Sequence, residues 1–254
     1  MVRVGKLVEI AREWKEEICK GCDCYLSNKP ALIFPVLHQK VMFISESPYN
    51  YPRPGVSRLE EFIENDLLCG LVKAAEIPNA RRKLWPRNIF DFIYCTFKPI
   101  FSDELRDDWA EIFLRKVYWT HVFKKTLKCL KGRDKRMAMD RCFCYSFPKE
   151  LSKIRPELII CASSEALRRL FKKGYRETVK MQLEEVVRGR GLLTVKKLLE
   201  GDRPSFLVLE ELAECKVAVF PNPSPRAGRW KKDFYKNNKE SAVKVLKEIH
   251  SMLR

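Results

Sequence analysis

The stretch that decides the fold is VMFISESPYN, residues 41–50, because a short apolar run passes directly into a polar loop that contains proline. The run at 41–44 is preceded by a lysine and followed by this loop, which is typical of a strand buried on both faces. Three other segments have the same short apolar character, at 117–123, 157–161 and 216–220. The sequence therefore predicts four buried strands.

The segments between these strands have the apolar spacing of helices, or serines that can cap helices. They lie at 4–18, 59–75, 102–115, 142–154, 163–172 and 241–253. Ser163 or Ser164 can cap the fifth of them, and 124–141 is interpreted as a basic connection. Short apolar strands that alternate with helices imply a parallel sheet. The predicted fold class is α/β, a three-layer α/β/α domain with a central four-stranded, mostly parallel sheet.

The length and composition of the chain exclude some classes of protein. The chain has 254 residues, of which 46% are apolar and 33% are charged, so it can bury a core and wholesale disorder is excluded. We predict a single domain over 1–254, with 175–215 as a candidate insertion. No apolar run is long enough for a membrane span. The N-terminal segment keeps its acidic residues and does not resemble a secretory signal, so we expect a cytoplasmic protein.

An excess of positive charge points to a polyanionic partner. Lys and Arg number 50 against 33 Asp and Glu, which gives a formal net charge of +17. The basic residues are concentrated in three clusters, at 81–87, 124–141 and 226–236. Such patches bind phosphates by releasing counter-ions, so nucleic acid is the favoured partner and simple solubility is the alternative. Glutamine is nearly absent while Lys, Arg and Glu abound, which favours a thermophilic source.

Two of the predicted strands end in loops with unusual chemistry. In open parallel sheets, ligands bind beyond the carboxyl ends of the strands. The loop after the first strand carries a carboxylate, hydroxyls, a ring and an amide: Ser45, Glu46, Ser47, Tyr49 and Asn50. The loop after the last strand is stiffened by three alternating prolines and presents Asn222, Ser224 and Arg226. Each loop alone is equally compatible with an ordinary polar turn.

Taken together and in this order, the two loops resemble the motifs of the uracil-DNA glycosylase superfamily. Members carry GQDPYH or GEAPG after the first strand and HPSP or NPSG after the last. Glu46 and Pro48 match the GEAPG form, Tyr49 matches the tyrosine of GQDPYH, and the segment 222–225 matches the second motif. The stretch VYWTHVFK at 117–124 is similar to the middle strand of the thermophile-type branch, usually vyiTNvvK. The resemblance extends over residues 15–225.

The resemblance implies a DNA glycosylase that hydrolyses the N-glycosidic bond of uracil or a related deaminated or damaged base in base-excision repair. Glu46 and Asn222 are then the catalytic residues, the first near the sugar and the second as donor to the leaving base. The substrate-binding residues are Ser45, Ser47, Tyr49, Asn50, His121, Ser224 and Arg226. His121 stands where the family usually has Asn, Asn222 where this branch usually has His, and Ser47 where the most active branch has Asp. Uracil, hypoxanthine and other damaged bases therefore stay open as substrates.

The same branch carries a 4Fe–4S cluster on four cysteines, which the resemblance transfers to Cys19, Cys22, Cys129 and Cys144. Thiolate ligands suit such a cluster in a cytosolic protein. Cys142 competes with Cys144 for the last position, and Cys24 competes with Cys22. Zinc is the alternative metal, and free or disulfide-bonded thiols are the remaining one.

Two further functions compete with the glycosylase. The first is a non-catalytic nucleic-acid-binding member of the same fold, with a structural metal cluster. The second is an unrelated metal-dependent nuclease, which would need clustered carboxylates at the strand ends. Glu46 stands alone there, which argues against the nuclease. We expect DNA as the partner, no membrane association and a monomer.

Overall fold

The computed structural model describes residues 4–22, 41–46, 89–97, 113–114, 116–124, 131–163, 165–166, 169, 206–209 and 215–219. Three helices and five strands lie within these ranges. In chain order they are α1 Val4–Cys19, β1 Val41–Ser45, α2 Ile89–Phe97, β2 Val117–His121, α3 Gly132–Ile154, β3 Leu158–Cys161, β4 Phe206–Leu209 and β5 Cys215–Val219. None of the described helices is long and apolar enough to cross a membrane.

The strands form one sheet in the order β2-β1-β3-β5-β4. β1 pairs in parallel with β2 and β3, and β3 pairs in parallel with β5. β4 is antiparallel to β5 at the edge. The predicted α/β class is therefore confirmed. The described part of the sheet has five strands rather than the predicted four, because part of the segment 175–215 adds β4.

β1 and β2 are buried along their whole length, so both faces of each strand meet other parts of the chain. On one face, Phe43 packs against Phe92 of α2 and against Trp119, with ring centroids 5.7 and 5.9 Å apart. On the other face, Tyr118 packs against Trp14 of α1 at 5.4 Å. This burial on both faces explains why the strands are continuous apolar runs in the sequence.

The helix α3 is longer than the sequence predicts. It begins at Gly132, so the interpretation of 132–141 as a connection was wrong. Except for its first residue, this stretch is rich in Arg, Lys, Met and Ala, which are good helix formers. The helix continues through Pro148 and ends at Ile154; the next residue, Arg155, is the C-cap, and its N–H donates to the carbonyl of Leu151 at 2.8 Å.

Other predicted helices are described only in part. The prediction at 4–18 is confirmed by α1. The amide of Ala166 donates to Ser163 Oγ at 3.2 Å, as expected if Ser163 caps this helix; Ser164 lies outside the described residues. The predicted helices at 59–75 and 241–253, and most of the one at 102–115, lie outside the described residues.

Candidate functional site

The carboxyl ends of β1, β2 and β3 meet at one edge of the sheet, and backbone hydrogen bonds hold the chain together beyond the strands. The amide of Val122 donates to the carbonyl of Ser45 at 2.9 Å, and the amide of Phe123 donates to the carbonyl of Glu46 at 3.1 Å. On the other side of β1, the amide of Ala162 donates to the carbonyl of Ile44 at 3.0 Å. β2 and β3 lie on opposite sides of β1, so the order in which the chain adds strands to the sheet reverses at β1. Open α/β sheets bind ligands at such topological switch points.

A buried hydrogen-bond network joins β1 to β2 at this edge. Ser45 and His121 are register partners, and Ser45 Oγ lies 2.6 Å from His121 Nδ1. Trp119 Nε1 donates to the same oxygen at 3.0 Å. An indole N–H can only donate, so the serine proton goes either to the imidazole at 2.6 Å or to the carbonyl of Thr120 at 3.5 Å. On the shorter contact we assign Nδ1 as the acceptor.

This network holds the imidazole in its neutral form. Only 2% of His121 is exposed. Burial lowers the pKa of His121 well below 6.5, and the positive charge of Lys124 lowers it further. The ring is therefore uncharged at neutral pH, and its orientation is fixed by Ser45.

Glu46 follows β1 directly and is half-buried. Its side chain is 24% exposed, and its Oε1 accepts a hydrogen bond from Lys135 Nζ at 2.9 Å. Lys135 lies in the first turns of α3, so this ion pair connects the start of the helix to the end of the strand. The predicted catalytic carboxylate thus lies at the same edge as the Ser45–His121 pair.

The side of β2 that faces α3 carries a second, fully buried network around Lys124. Lys124 Nζ donates to Thr120 Oγ1 at 2.6 Å, to the carbonyl of His121 at 2.6 Å and to Glu150 Oε2 at 2.9 Å. Glu150 Oε1 accepts from Tyr118 at 2.7 Å and from Thr120 at 2.6 Å. Burial, followed by the charge of Glu150, raises the pKa of Tyr118 well above 10. Lys124 is therefore an interior group, and counting it in a basic surface cluster was wrong.

The turn that carries Cys19 and Cys22 ends the helix α1. The amide of Lys20 still bonds to the carbonyl of Glu16 at 3.1 Å, and the amide of Cys22 bonds to the carbonyl of Cys19 at 2.9 Å. Gly21 has a φ of 87°, in the region that favours glycine. A Cβ at this position would also lie 2.6 Å from the hydroxyl of Tyr145. Glycine at this position therefore allows both cysteines to turn inward, where they are buried.

A third buried cysteine joins this pair from α3. Cys142 Sγ accepts a hydrogen bond from the amide of Lys124 at 3.5 Å. Burial raises the pKa of Cys19 to about 12; Lys124 lowers this pKa, and Cys142 and Cys22 are close enough to raise it. Cys144 is exposed. The structure therefore favours Cys142 over Cys144 as the companion of the first two thiols.

Buried thiols are soft ligands, of the kind that zinc and iron–sulfur clusters take. Among the described residues, no three His, Cys, Asp or Glu side chains are grouped closely enough to hold one metal ion. In a 4Fe–4S cluster each thiolate binds a different iron, so the four thiolates lie farther apart than the ligands of a single metal ion. Cys19 at the end of α1, Cys22 in the following turn and Cys142 of α3 are buried thiols, which is the ligand type that such a cluster uses.

The described residues contain only part of the predicted site. Ser45, Glu46 and His121 come together at the carboxyl edge, and Cys19 and Cys22 come together beside α3. The rest of the predicted site lies outside the described residues: Ser47, Tyr49, Asn50, Asn222, Ser224, Arg226, Cys24 and Cys129. Sequence reasoning missed the roles of Lys135 and Glu150. A lysine in a basic cluster and a glutamate in a polar helix carry no signal that would separate them from surface charges.

Part of one predicted basic cluster is on the surface. The exposed basic residues here include Lys131, directly before α3, and Arg133, Arg136 and Arg141 in its first half. The helix brings this basic stretch to the carboxyl edge through the contact between Lys135 and Glu46. The clusters at 81–87 and 226–236 lie outside the described residues.

A scan of the sequence against models of known protein families finds no match, and a search of curated proteins finds no significant match.

Proposed function

We propose that this protein is a DNA glycosylase that hydrolyses the N-glycosidic bond of uracil or a related damaged base, acting as a cytoplasmic monomer. The observation that carries the proposal is the register pair Ser45–His121, which brings the first motif and the middle-strand motif side by side at the carboxyl edge. The resemblance assigns the loop after the first strand and the end of the middle strand to one site, so the two must be neighbours. Neither motif alone predicts that they are. The proposed domain is the three-layer α/β/α arrangement.

Base removal passes through a state in which the sugar carries positive charge and the base leaves as an anion. A carboxylate beside the sugar stabilises that charge and orients the attacking water. Glu46 suits this role because it is half-buried at the strand exit and is held in place by Lys135. Asn222 would donate to the oxygen of the leaving base. Ser224 and Arg226 would bind the DNA backbone.

His121 would read the flipped base. Because the ring is neutral and Nδ1 accepts from Ser45, the ring proton lies on Nε2, which would donate to the base. The hydrogen bond with Ser45 occupies Nδ1 and fixes the plane of the ring. A fixed ring plane would let the ring discriminate between bases by the position of their polar groups. Tyr49, Ser47 and Asn50 would complete the pocket.

The proposed cofactor is a 4Fe–4S cluster held by Cys19, Cys22, Cys142 and Cys129, with zinc as the alternative. When bound, the cluster would supply iron–sulfur bonds that cross-link α1 to α3. Tyr118 and Thr120 face α1 and α3, which carry the cysteines, whereas Trp119 and His121 lie on the opposite face of β2. The strand therefore separates the proposed cluster from the carboxyl-edge site. We therefore assign the cluster a structural role.

A second candidate function is a non-catalytic DNA-binding protein with the same fold. The observation that favours it is the ion pair of Glu46 with Lys135, which occupies one oxygen of the carboxylate that catalysis would use. The exposed basic residues of α3 serve either function equally.

The test uses anaerobically purified protein and labelled oligonucleotides that contain uracil, hypoxanthine or only normal bases. After incubation, alkali cleaves the strand wherever a base has been removed. We expect strand cleavage with at least one lesion, and its loss in Glu46→Gln and Asn222→Ala. The matched control is Glu13→Gln, the same chemical change at an exposed position of α1.

Binding of every oligonucleotide without cleavage would replace the glycosylase by the binding protein. Equal activity in Glu46→Gln and in the control would remove Glu46 from the catalytic role.

A further inference from the structure

The first half of α3, residues 132–143, has an outward side that is rich in arginine. Three arginines of this half are exposed, and together they are called the arginine face: Arg133, Arg136 and Arg141. One helical turn takes about 3.6 residues, so these positions lie on one side of the helix, and the buried Met139 and Cys142 lie on the other. The arginine face is therefore turned to solvent rather than to the sheet.

Most of the acidic charge beside the arginine face is held by a cation from the interior. The side chain of Arg169 is only 3% exposed, and it pairs with Asp140 at 2.9 Å and with Glu165 at 2.7 Å. Arg169 also donates to the carbonyl of Arg136 at 3.4 Å, so it lies beneath the arginine face. The other acidic residue of this half of the helix is Asp134. The outward side therefore keeps an excess of positive charge.

Lys135 connects this half of α3 to the carboxyl edge. Its Nζ donates to Glu46 Oε1 at 2.9 Å, and both side chains are partly exposed. Ion pairs that water can reach contribute little to stability. An ammonium on a flexible stem has three donors without a fixed geometry, so it can change its anionic partner while the helix stays in place. A phosphate bound at the start of α3 would therefore compete with Glu46 for Lys135.

We propose that the arginine face binds the phosphate backbone of double-stranded DNA, and that Lys135 exchanges Glu46 for a phosphate when the DNA binds. The inference rests on the DNA partner of the proposed function, and not on base removal. Charge complementarity identifies the partner, because phosphates release counter-ions when cations bind them. Among the described residues, Met137 is the one large apolar side chain that is exposed, so a lipid surface would gain little here.

The exchange gives the ion pair of Glu46 a use in the proposed reaction. Before DNA binds, Lys135 balances the charge of the carboxylate. In the complex, the phosphate takes over Lys135, and the negative charge of Glu46 can act on the sugar, where positive charge develops. The carboxylate would thus gain its full electrostatic effect only with DNA in place.

The first experiment measures binding of the full chain to an undamaged duplex by fluorescence anisotropy at several salt concentrations. The main variant replaces the arginine face by glutamine: Arg133→Gln/Arg136→Gln/Arg141→Gln. The matched control removes three charges elsewhere on the surface, from α1, from the residue before β2 and from the last turn of α3: Arg12→Gln/Lys116→Gln/Lys153→Gln. Both variants lower the formal net charge equally, and circular dichroism checks their folding.

The salt dependence reports how many phosphates the protein neutralises. Each phosphate contact on a duplex adds about 0.9 to the slope of the logarithm of affinity against the logarithm of salt concentration. We expect this slope to be shallower by about 2 to 3 in the main variant, since three contacts are removed. The control should keep the slope of the wild type.

A double-mutant cycle on the same duplex tests the exchange at Lys135. Glu46→Gln removes the competing anion, so it should tighten binding by about two- to fivefold, the worth of a partly exposed ion pair. In the Lys135→Met background, the same substitution should have no effect, because the side chain that changes partner is absent. Glu13→Gln, at an exposed position of α1, is the matched control for the loss of one carboxylate.

Equal slopes in the main variant and its control would overturn the proposal, because the charge would then act through the whole molecule. A gain from Glu46→Gln that persists in Lys135→Met would overturn the exchange, since it would reflect general repulsion between the carboxylate and DNA. Either failure leaves base removal untouched, because the oligonucleotide cleavage assay tests it separately. A wild-type protein that does not bind the duplex would overturn the proposed function as well.

Discussion

Two lysine–glutamate pairs of the same length have opposite surroundings. Lys124–Glu150 and Lys135–Glu46 both have an N–O distance of 2.9 Å, and both involve a residue of α3. The first pair is fully buried, whereas the side chains of the second are 35% and 24% exposed. The N–O distance alone therefore does not determine how much an ion pair contributes to stability; its burial must be known as well. Removing one partner of the buried pair would leave an uncompensated charge in the interior, whereas the charges of the partly buried pair are partly screened by water.

The largest expected effect comes from breaking the buried pair. Glu150→Ala should lower the free energy of unfolding by about 3–5 kcal/mol, because it leaves the Lys124 ammonium in the interior without its carboxylate. Urea unfolding followed by circular dichroism measures the loss. The variant also removes the acceptor of Tyr118 and Thr120, which adds to the cost.

The double variant Lys124→Met/Glu150→Met is the control for this prediction. It should recover most of the lost stability, because no buried charge remains. A loss in Glu150→Ala no larger than that in Glu46→Ala would contradict the contrast between the two pairs.

The next largest expected effect is a dependence of the free energy of unfolding on pH, which arises from His121. Its folded pKa is lowered below 6.5 by burial and by Lys124, so below pH 6.5 the unfolded chain takes up a proton that the folded protein does not. The free energy of unfolding should therefore fall as the pH falls below 6.5, by about 1.4 kcal/mol per pH unit, and should stay constant on this account above it.

Urea unfolding at about pH 7.5 and about pH 5.5 tests this dependence. His121→Asn keeps a polar side chain that does not titrate, so subtracting its pH dependence isolates the histidine. Identical pH dependence in the two proteins would show that the imidazole is not held in the neutral form.

The smallest effect is expected at the partly buried pair Lys135–Glu46. Lys135→Met should change the free energy of unfolding by at most about 1 kcal/mol, because water screens both partners. Any difference should disappear at about 1 M salt. Thermal unfolding at low and high salt measures it, with Arg133→Met as a control for the loss of one exposed charge from α3.

A loss at Lys135 as large as that in Glu150→Ala would mean that this pair, too, holds the fold together. Lys135→Arg should behave as the wild type, since it retains the charge that faces Glu46.

The sequence predicts the α/β class because buried parallel strands are visible as continuous apolar runs. That Ser45 and His121 belong to one site is implied only by the family resemblance, because the strand predicted at 117–123 runs past His121. The sequence does not predict β4, whose residues 206–209 form an apolar run of only four residues inside the ambiguous segment 175–215. A helix and an edge strand cannot be told apart in such a run by periodicity alone.

The choice between Cys142 and Cys144 shows a different limit. Residues two apart in a helix point about 200° from each other, so only one of them can face α1. The phase of the helix decides which one, and that phase depends on packing along all of α3. Lys124 shows the same limit for charge, because its partner Glu150 lies 26 residues away and no local pattern connects them.

The alternation of side chains along β2 makes this strand intolerant of changes in length. Trp119 and His121 belong to the carboxyl-edge network, and Tyr118 and Thr120 belong to the network around Glu150. Inserting one residue before Tyr118 would turn every following side chain to the opposite face. Both networks would then be lost in one event, although every residue that forms them would still be present. Related chains should therefore vary in length in the connections around β2 and keep the spacing from 118 to 124 constant.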